Sequence, residues 1–94
     1  MDNIQFQQWA KTVRATLRGK IHEYLCHTGE YPEAIIAGGE YAYAIMEDRR
    51  DFYHVADGSY LWCGIPFLRC GSVQKVKIVE KMADVDLPDV PKGE

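Results

Sequence analysis

The residues of this 94-residue chain with the richest chemistry are its three histidines and three cysteines. His22 and Cys26 stand four apart, so on a helix they share one side, with His27 next to them. Cys63, Cys70 and His54 lie far down the chain, where a fold can return them to the first group. A zinc site built this way lacks the tight Cys-x-x-Cys pairs that usually anchor structural zinc, since Cys63 and Cys70 are seven apart. No metal is expected. A cysteine nucleophile needs a thiolate beside a histidine and donors for the oxyanion. No local signature surrounds any of the three cysteines, and buried free thiols are the simpler reading.

Two further patterns resemble chemistry without completing it. Ala37-Gly38-Gly39-Glu40 places glycines at a helix start, where backbone N–H groups welcome anions. The run lacks the Gly-Lys-Ser/Thr ending of a phosphate loop, and Glu40 puts a negative charge where the phosphate would sit. Glu47, Asp48 and Asp51 are close enough to act as an acid/base pair. They abut Arg49-Arg50, so a solvated helix end is expected there. No catalytic residue and no cofactor is assigned, and the chain is read as a non-enzyme.

The strongest polar feature is a basic strip. Between Asp2 and Glu23 the chain carries Lys11, Arg14, Arg18 and Lys20 with no acid among them. Lys11, Arg14 and Arg18 fall at i, i+3 and i+7, on one helical face that can meet phosphates or an acidic protein surface. Tyr41 and Trp62 are the aromatic candidates for contact, since Tyr and Trp are enriched at binding hot spots. The expected binding set is therefore Lys11, Arg14, Arg18, Lys20, Tyr41 and Trp62.

The elements that must position these residues are readable in order. Phe6, Trp9, Ala10, Val13, Leu17, Ile21, Tyr24 and Leu25 recur every three or four residues, which predicts one long helix over 3–28. Asp2 or Asn3 caps its start and Gly29 ends it. Gly19 inside it suggests close packing or a bend. Pro32 then forces an extended approach into a strand over 34–37, and Gly38-Gly39 turns into a second helix over 40–50. Strands are expected at 52–55 and 60–62 around Ala56-Asp57-Gly58-Ser59, a hairpin signal. Gly64 and Pro66 predict a bulge or bend before a strand over 67–70. Lysines 75, 77 and 81 alternate with Val76, Ile78 and Met82, which reads as a final edge strand over 73–82. The fold class is α+β: a long N-terminal helix, then strand-helix-strand-strand-strand, with helices packed on a mainly antiparallel sheet. The domain is expected to span 1–82, with 83–94 as an acidic, proline-containing arm or tail.

Composition sets the remaining limits. Residues 1–82 hold ten Lys/Arg and ten Asp/Glu, so the net charge of −3 resides in the tail. A neutral body gives no general reason for nucleic acid or an anionic membrane. No run approaches the ~20 apolar residues of a membrane span, and Met1-Asp2-Asn3-Ile4-Gln5 lacks the basic start of a signal peptide. With an odd cysteine count, this points to a reducing cytoplasm. A protein partner, either host or a second copy in a homo-oligomer, is expected; nucleic acid at the basic strip is the alternative.

Pro32-Glu33-Ala34-Ile35-Ile36-Ala37-Gly38 and Tyr60-Leu61-Trp62-Cys63-Gly64-Ile65-Pro66-Phe67 together resemble the axial-domain segment of tailed-phage capsid proteins. In that family a Pro-x-x-Ile strand leads into a helix, and an aromatic-Gly-Ile-Pro turn returns through the sheet. The resemblance spans residues 32–67; nothing here matches the family's long spine helix or extended loop. It implies a phage- or prophage-encoded accessory or virion protein, or an inhibitor of a host enzyme or defence complex.

Overall fold

Asp2 starts the first helix by a reciprocal cap. Its carboxylate accepts from the Gln5 amide at 2.7 Å, and the Gln5 side chain accepts from the Asp2 amide at 3.3 Å. Two donors that have no helical partner are thereby satisfied. In this computed structural model, which describes residues 2–79, 83–84 and 87–91, α1 runs Asn3–Thr28 and closes at Gly29, whose left-handed φ of 77° lets its amide reach Leu25 O. One stripe of α1 is buried: Trp9, Ala10, Val13, Leu17, Ile21 and Tyr24. Gly19 lies on the opposite, exposed side, and a Cβ there would meet nothing within 4 Å. Close packing does not explain it, so that part of the sequence expectation for Gly19 is corrected.

Strand β1 (Ala34–Ala37) feeds α2 (Gly39–Met46) through Gly38. Here glycine is required by space: a Cβ would sit 1.9 Å from Val73 O and 2.7 Å from Cys70 O. Helix α2 ends earlier than residue 50. The Asp48 carboxylate accepts from the Arg50 amide at 3.1 Å, and Asp48 O accepts from the Phe52 amide at 3.1 Å, which commits the chain to a turn.

The remaining elements are β2 (Phe52–His54), β3 (Tyr60–Trp62), β4 (Ile65–Arg69), β5 (Val76–Val79) and β6 (Ala83–Asp84). The sheet order is β2-β3-β4-β1-β5-β6, with β1 parallel to β4 and every other pair antiparallel. The α+β class, the long first helix and the mainly antiparallel sheet are as the periodicities imply. Three details differ. Cys63 and Gly64 have φ of 54° and 77° and form a two-residue turn pairing Trp62 with Ile65, so the expected bulge is a tight hairpin. Strand β5 starts at Val76 rather than at 73, residues 80–82 of the expected strand lie outside the described residues, and it is not an edge, because β6 pairs outside it. Within the expected arm, 83–84 joins the sheet and Leu87 is buried, so packed structure continues past residue 82.

The pleat sorts the sheet into two faces. Phe52, Trp62, Ile65, Phe67, Ile35, Ala37, Val76 and Ile78 share one side by register, and α1 and α2 close over it to form a single core. The other side presents Tyr53, Leu61, Pro66, Leu68, Ile36, Ala34, Lys77 and Val79. Neither helix lies on that side.

Candidate functional site

Two basic residues of α1 turn inward. Arg14 Nη1 donates to Ala44 O at 2.7 Å, satisfying a carbonyl in the last turn of α2, which has no basic residue of its own there. Arg18 Nη2 donates to the carboxylates of both Asp48 and Asp51, the latter at 2.7 Å, and its guanidinium lies 5.3 Å from the Trp62 ring centre. Asp48 is 6 % exposed and is the centre of this network. Besides Arg18 it accepts from the Trp62 indole at 2.9 Å and the Arg50 amide, with Arg14 Nε 4.0 Å away. Burial alone would raise the Asp48 pKa. The indole, the Arg50 amide and the Arg18 charge outweigh it and hold the carboxyl below its ordinary value. Among the described residues no buried side-chain nitrogen or oxygen lacks a partner.

The network joins α1, the turn after α2, and β3 into one unit. It also answers the question of the acidic cluster: Asp48 is not part of a solvated helix end but a buried, paired anion. Its signal in the sequence was faint. An Asp two residues after an apolar helix, followed by Trp62 far downstream, does not reveal that the two meet.

Cys63 sits at the rim of this unit, its amide donating to Asp51 O at 2.9 Å. With Arg18, Ile21, His22, Leu25 and Tyr31 it lines a pocket of about 170 Å³. Burial pushes the thiol pKa up, and the neighbouring Arg18 only partly offsets this. A thiol so placed carries less of the thiolate, the form that attacks as a nucleophile. His22 Nε2 contacts Cys26 Sγ at 3.5 Å on the exposed side of α1. Among the described residues, no group of three His, Cys, Asp or Glu is arranged to hold a metal ion.

The expected binding residues are therefore scattered. Lys11 and Lys20 are exposed, and Lys20 lies 3.7 Å from Glu23. Arg14 and Arg18 are held by the protein itself, so the four cations do not form one free strip. Trp62 is fully buried, and Tyr41 is 4 % exposed with its hydroxyl donating to Pro88 O at 2.7 Å. Both are core aromatics here, Trp62 held against Asp48 and Tyr41 lying under Pro88.

What the structure does present is the open side of the sheet. Tyr53 and Leu68 are 58 % and 52 % exposed, and Pro66 is exposed beside them. Leu61 pairs with Pro66 and Tyr53, and Ile36 pairs with Leu68, so the apolar residues are contiguous across four strands. The sequence carried a readable sign of this. Ile65-Pro66-Phe67-Leu68 is apolar at every position, the pattern of a strand covered on both faces rather than on one. No helix of the described residues is long and apolar enough to cross a membrane. No family model, curated protein or solved structure matches the chain.

Proposed function

We propose that this chain is a non-enzymatic protein-binding module that receives its partner on the open face of the sheet. The observation that carries the reading is the contiguous apolar surface of Tyr53, Leu61, Pro66, Leu68 and Ile36 on a rigid sheet with helices on its other side only. Strands lie ~4.8 Å apart and rise ~3.3 Å per residue, so four strands of about four residues offer a footprint of roughly 250 Å². That is the size of a small patch on a monomer, and less than half of the ~800 Å² per partner of a standard stable interface. Reversible docking is what this area supports, with rim residues adding to it. A second copy or a host protein would fit the face. The capsid-like run over residues 32–67, which forms β1, α2 and the β3–β4 hairpin, supports a phage- or prophage-encoded accessory protein, and an inhibitor of a host complex is the same reading with a different partner.

Light scattering over a range of concentrations at two salt levels tests the reading, comparing the wild type with Leu68→Lys and Tyr53→Lys. Mass that rises with concentration in the wild type and not in the variants identifies a second copy on this face. A monomer throughout directs the test to a foreign partner, captured by the wild type and lost by both variants. A partner or a self-association that both variants retain in full sinks the sheet-face reading.

A further inference from the structure

Residues 87–91, Leu87-Pro88-Asp89-Val90-Pro91, lie against the junction of α1 and α2. Leu87 is 4 % exposed within the core, and Val90 packs at its margin. One carbonyl meets both aromatic donors: Pro88 O accepts from Trp9 Nε1 at 3.1 Å and from Tyr41 OH at 2.7 Å. The two rings meet edge to face at 5.0 Å, and Phe6 adjoins Trp9 at 5.8 Å. Burial raises the Tyr41 pKa, against the opposing charge of Lys75, which keeps the phenol a donor. Lys75 Nζ donates to Leu87 O at 3.1 Å and lies 3.0 Å from the Asp89 carboxylate.

These parts match the way extended, proline-containing peptides are read. Proline fixes φ and removes a donor, so such a segment arrives preformed with carbonyls in need of donors. Aromatic floors with an outward N–H or O–H supply both the flat surface and the hydrogen bond. Two observations go beyond a stabilising strap. The described residues leave part of the groove open: beside Pro88 and Pro91 lies a pocket of about 310 Å³, lined by Gln5, Gln8, Trp9 and Thr12. The strap also lies at the surface, with Pro88 exposed and the Asp89 side chain 91 % exposed, so that Leu87 is its one fully buried residue among those described.

We propose that the groove formed by Phe6, Trp9, Tyr41 and Lys75 is a binding site for an extended segment of a partner protein with the pattern aliphatic-Pro-acid-x-Pro, and that residues 87–91 occupy it in cis as a competitor. The partner's segment gains over the strap by filling the pocket beside the two prolines. This site is separate from the sheet face and does not rest on it.

The test uses the full-length chain and a fluorescein-labelled peptide with the sequence of residues 85–94, read by anisotropy. A tethered segment competes at an effective concentration of order mM, so the wild type should bind the peptide weakly. Leu87→Asp in the protein places a charge in the core position of the strap and releases it. Binding should then tighten at least tenfold, vanish for a peptide carrying the same Leu87→Asp change, and weaken again when Trp9→Phe removes the indole donor. A folded Leu87→Asp protein that binds no peptide overturns the proposal. So does binding that is lost with Leu68→Lys, which would place the peptide on the sheet. Doubled mass without peptide binding assigns the strap to a second copy and also overturns it. If Leu87→Asp does not fold, hydrogen exchange on the wild type decides. Exchange of the Trp9 indole proton at least a hundredfold faster than the Ile35 amide supports a strap that opens alone, and equal exchange of the two overturns it.

Discussion

Replacing Asp48 tests whether the buried network is what joins the two helices to the sheet. Asp48→Ala removes the acceptor of the Trp62 indole, the partner of Arg18 and the side-chain contact to the Arg50 amide together. Breaking a buried charge pair from one side costs ~3–5 kcal/mol. The low end applies here, because the Arg18 side chain is 40 % exposed and keeps Asp51, so its charge is not stranded. An orphaned buried indole N–H is itself worth ~1–3 kcal/mol, which overlaps with that figure rather than adding to it. A loss of about 3 kcal/mol is expected, against a total of roughly 5–14 kcal/mol for a domain of this length. At ~4–8 °C per kcal/mol the melting temperature should fall by about 12–24 °C. Asp48→Asn retains an oxygen for the indole and the Arg50 amide and should lose about half as much. Urea and thermal unfolding followed by circular dichroism measure both. The pH dependence gives an independent check. A carboxyl held below its ordinary pKa in the folded state contributes stability that is present above the unfolded value of about 4 and is lost as pH falls through the folded value. The wild type should therefore lose more stability than Asp48→Asn between pH 4 and strongly acid conditions. A cost below about 1 kcal/mol for Asp48→Ala, with an unchanged acid limb, would refute the reasoning.

Two glycines predict opposite outcomes for the same substitution. Gly19→Ala adds a Cβ into open space on an exposed helical position and should stabilise the protein by ~0.5–1 kcal/mol, raising its urea midpoint without changing the slope. Gly38→Ala drives a Cβ into the Val73 and Cys70 carbonyls and should cost about 3 kcal/mol or more, seen as a collapse of the thermal transition.

Local signals in this sequence were enough for the elements and too little for their meeting points. The apolar stripe from Phe6 to Leu25, with Asp2 before it and Gly29 after it, fixes α1 because each signal acts within a few residues. Ala34–Ala37 and Tyr60–Trp62 were legible for the same reason, being bounded by proline, glycine and the Asp-Gly turn. Strand β6 was not legible. Ala83-Asp84 is two residues long and acidic, and only pairing with Lys77 and Ile78 makes it a strand. The basic strip misled for a different reason. A helical wheel shows that Arg14 and Arg18 share a face, but whether that face looks to water depends on a carbonyl and a carboxylate, each thirty residues from its arginine. Arginine is also the cation suited to burial, through its forked donors and its stacking on aromatic rings, so Lys11 stayed in solvent while Arg14 and Arg18 did not.

That division of cations leaves α1 without one continuous free basic face. Counterion release gives a phosphate-binding protein its affinity in proportion to the cations it can bring to the backbone. Here Arg14 serves the end of α2, Arg18 serves Asp48 and Asp51, and Lys20 has Glu23 within 3.7 Å. On α1 the charge has been used to build the protein. Trp62 shows the consequence on the other side of the sheet: its indole is pinned to Asp48 on the core side, while Leu61, the preceding residue of the same strand, points to the open side. The buried ion network therefore also fixes the strand that carries the apolar surface. Under the proposed reading, a partner meets a face so held through shape and burial rather than through charge. This is why we propose a docking module rather than an electrostatic nucleic-acid binder.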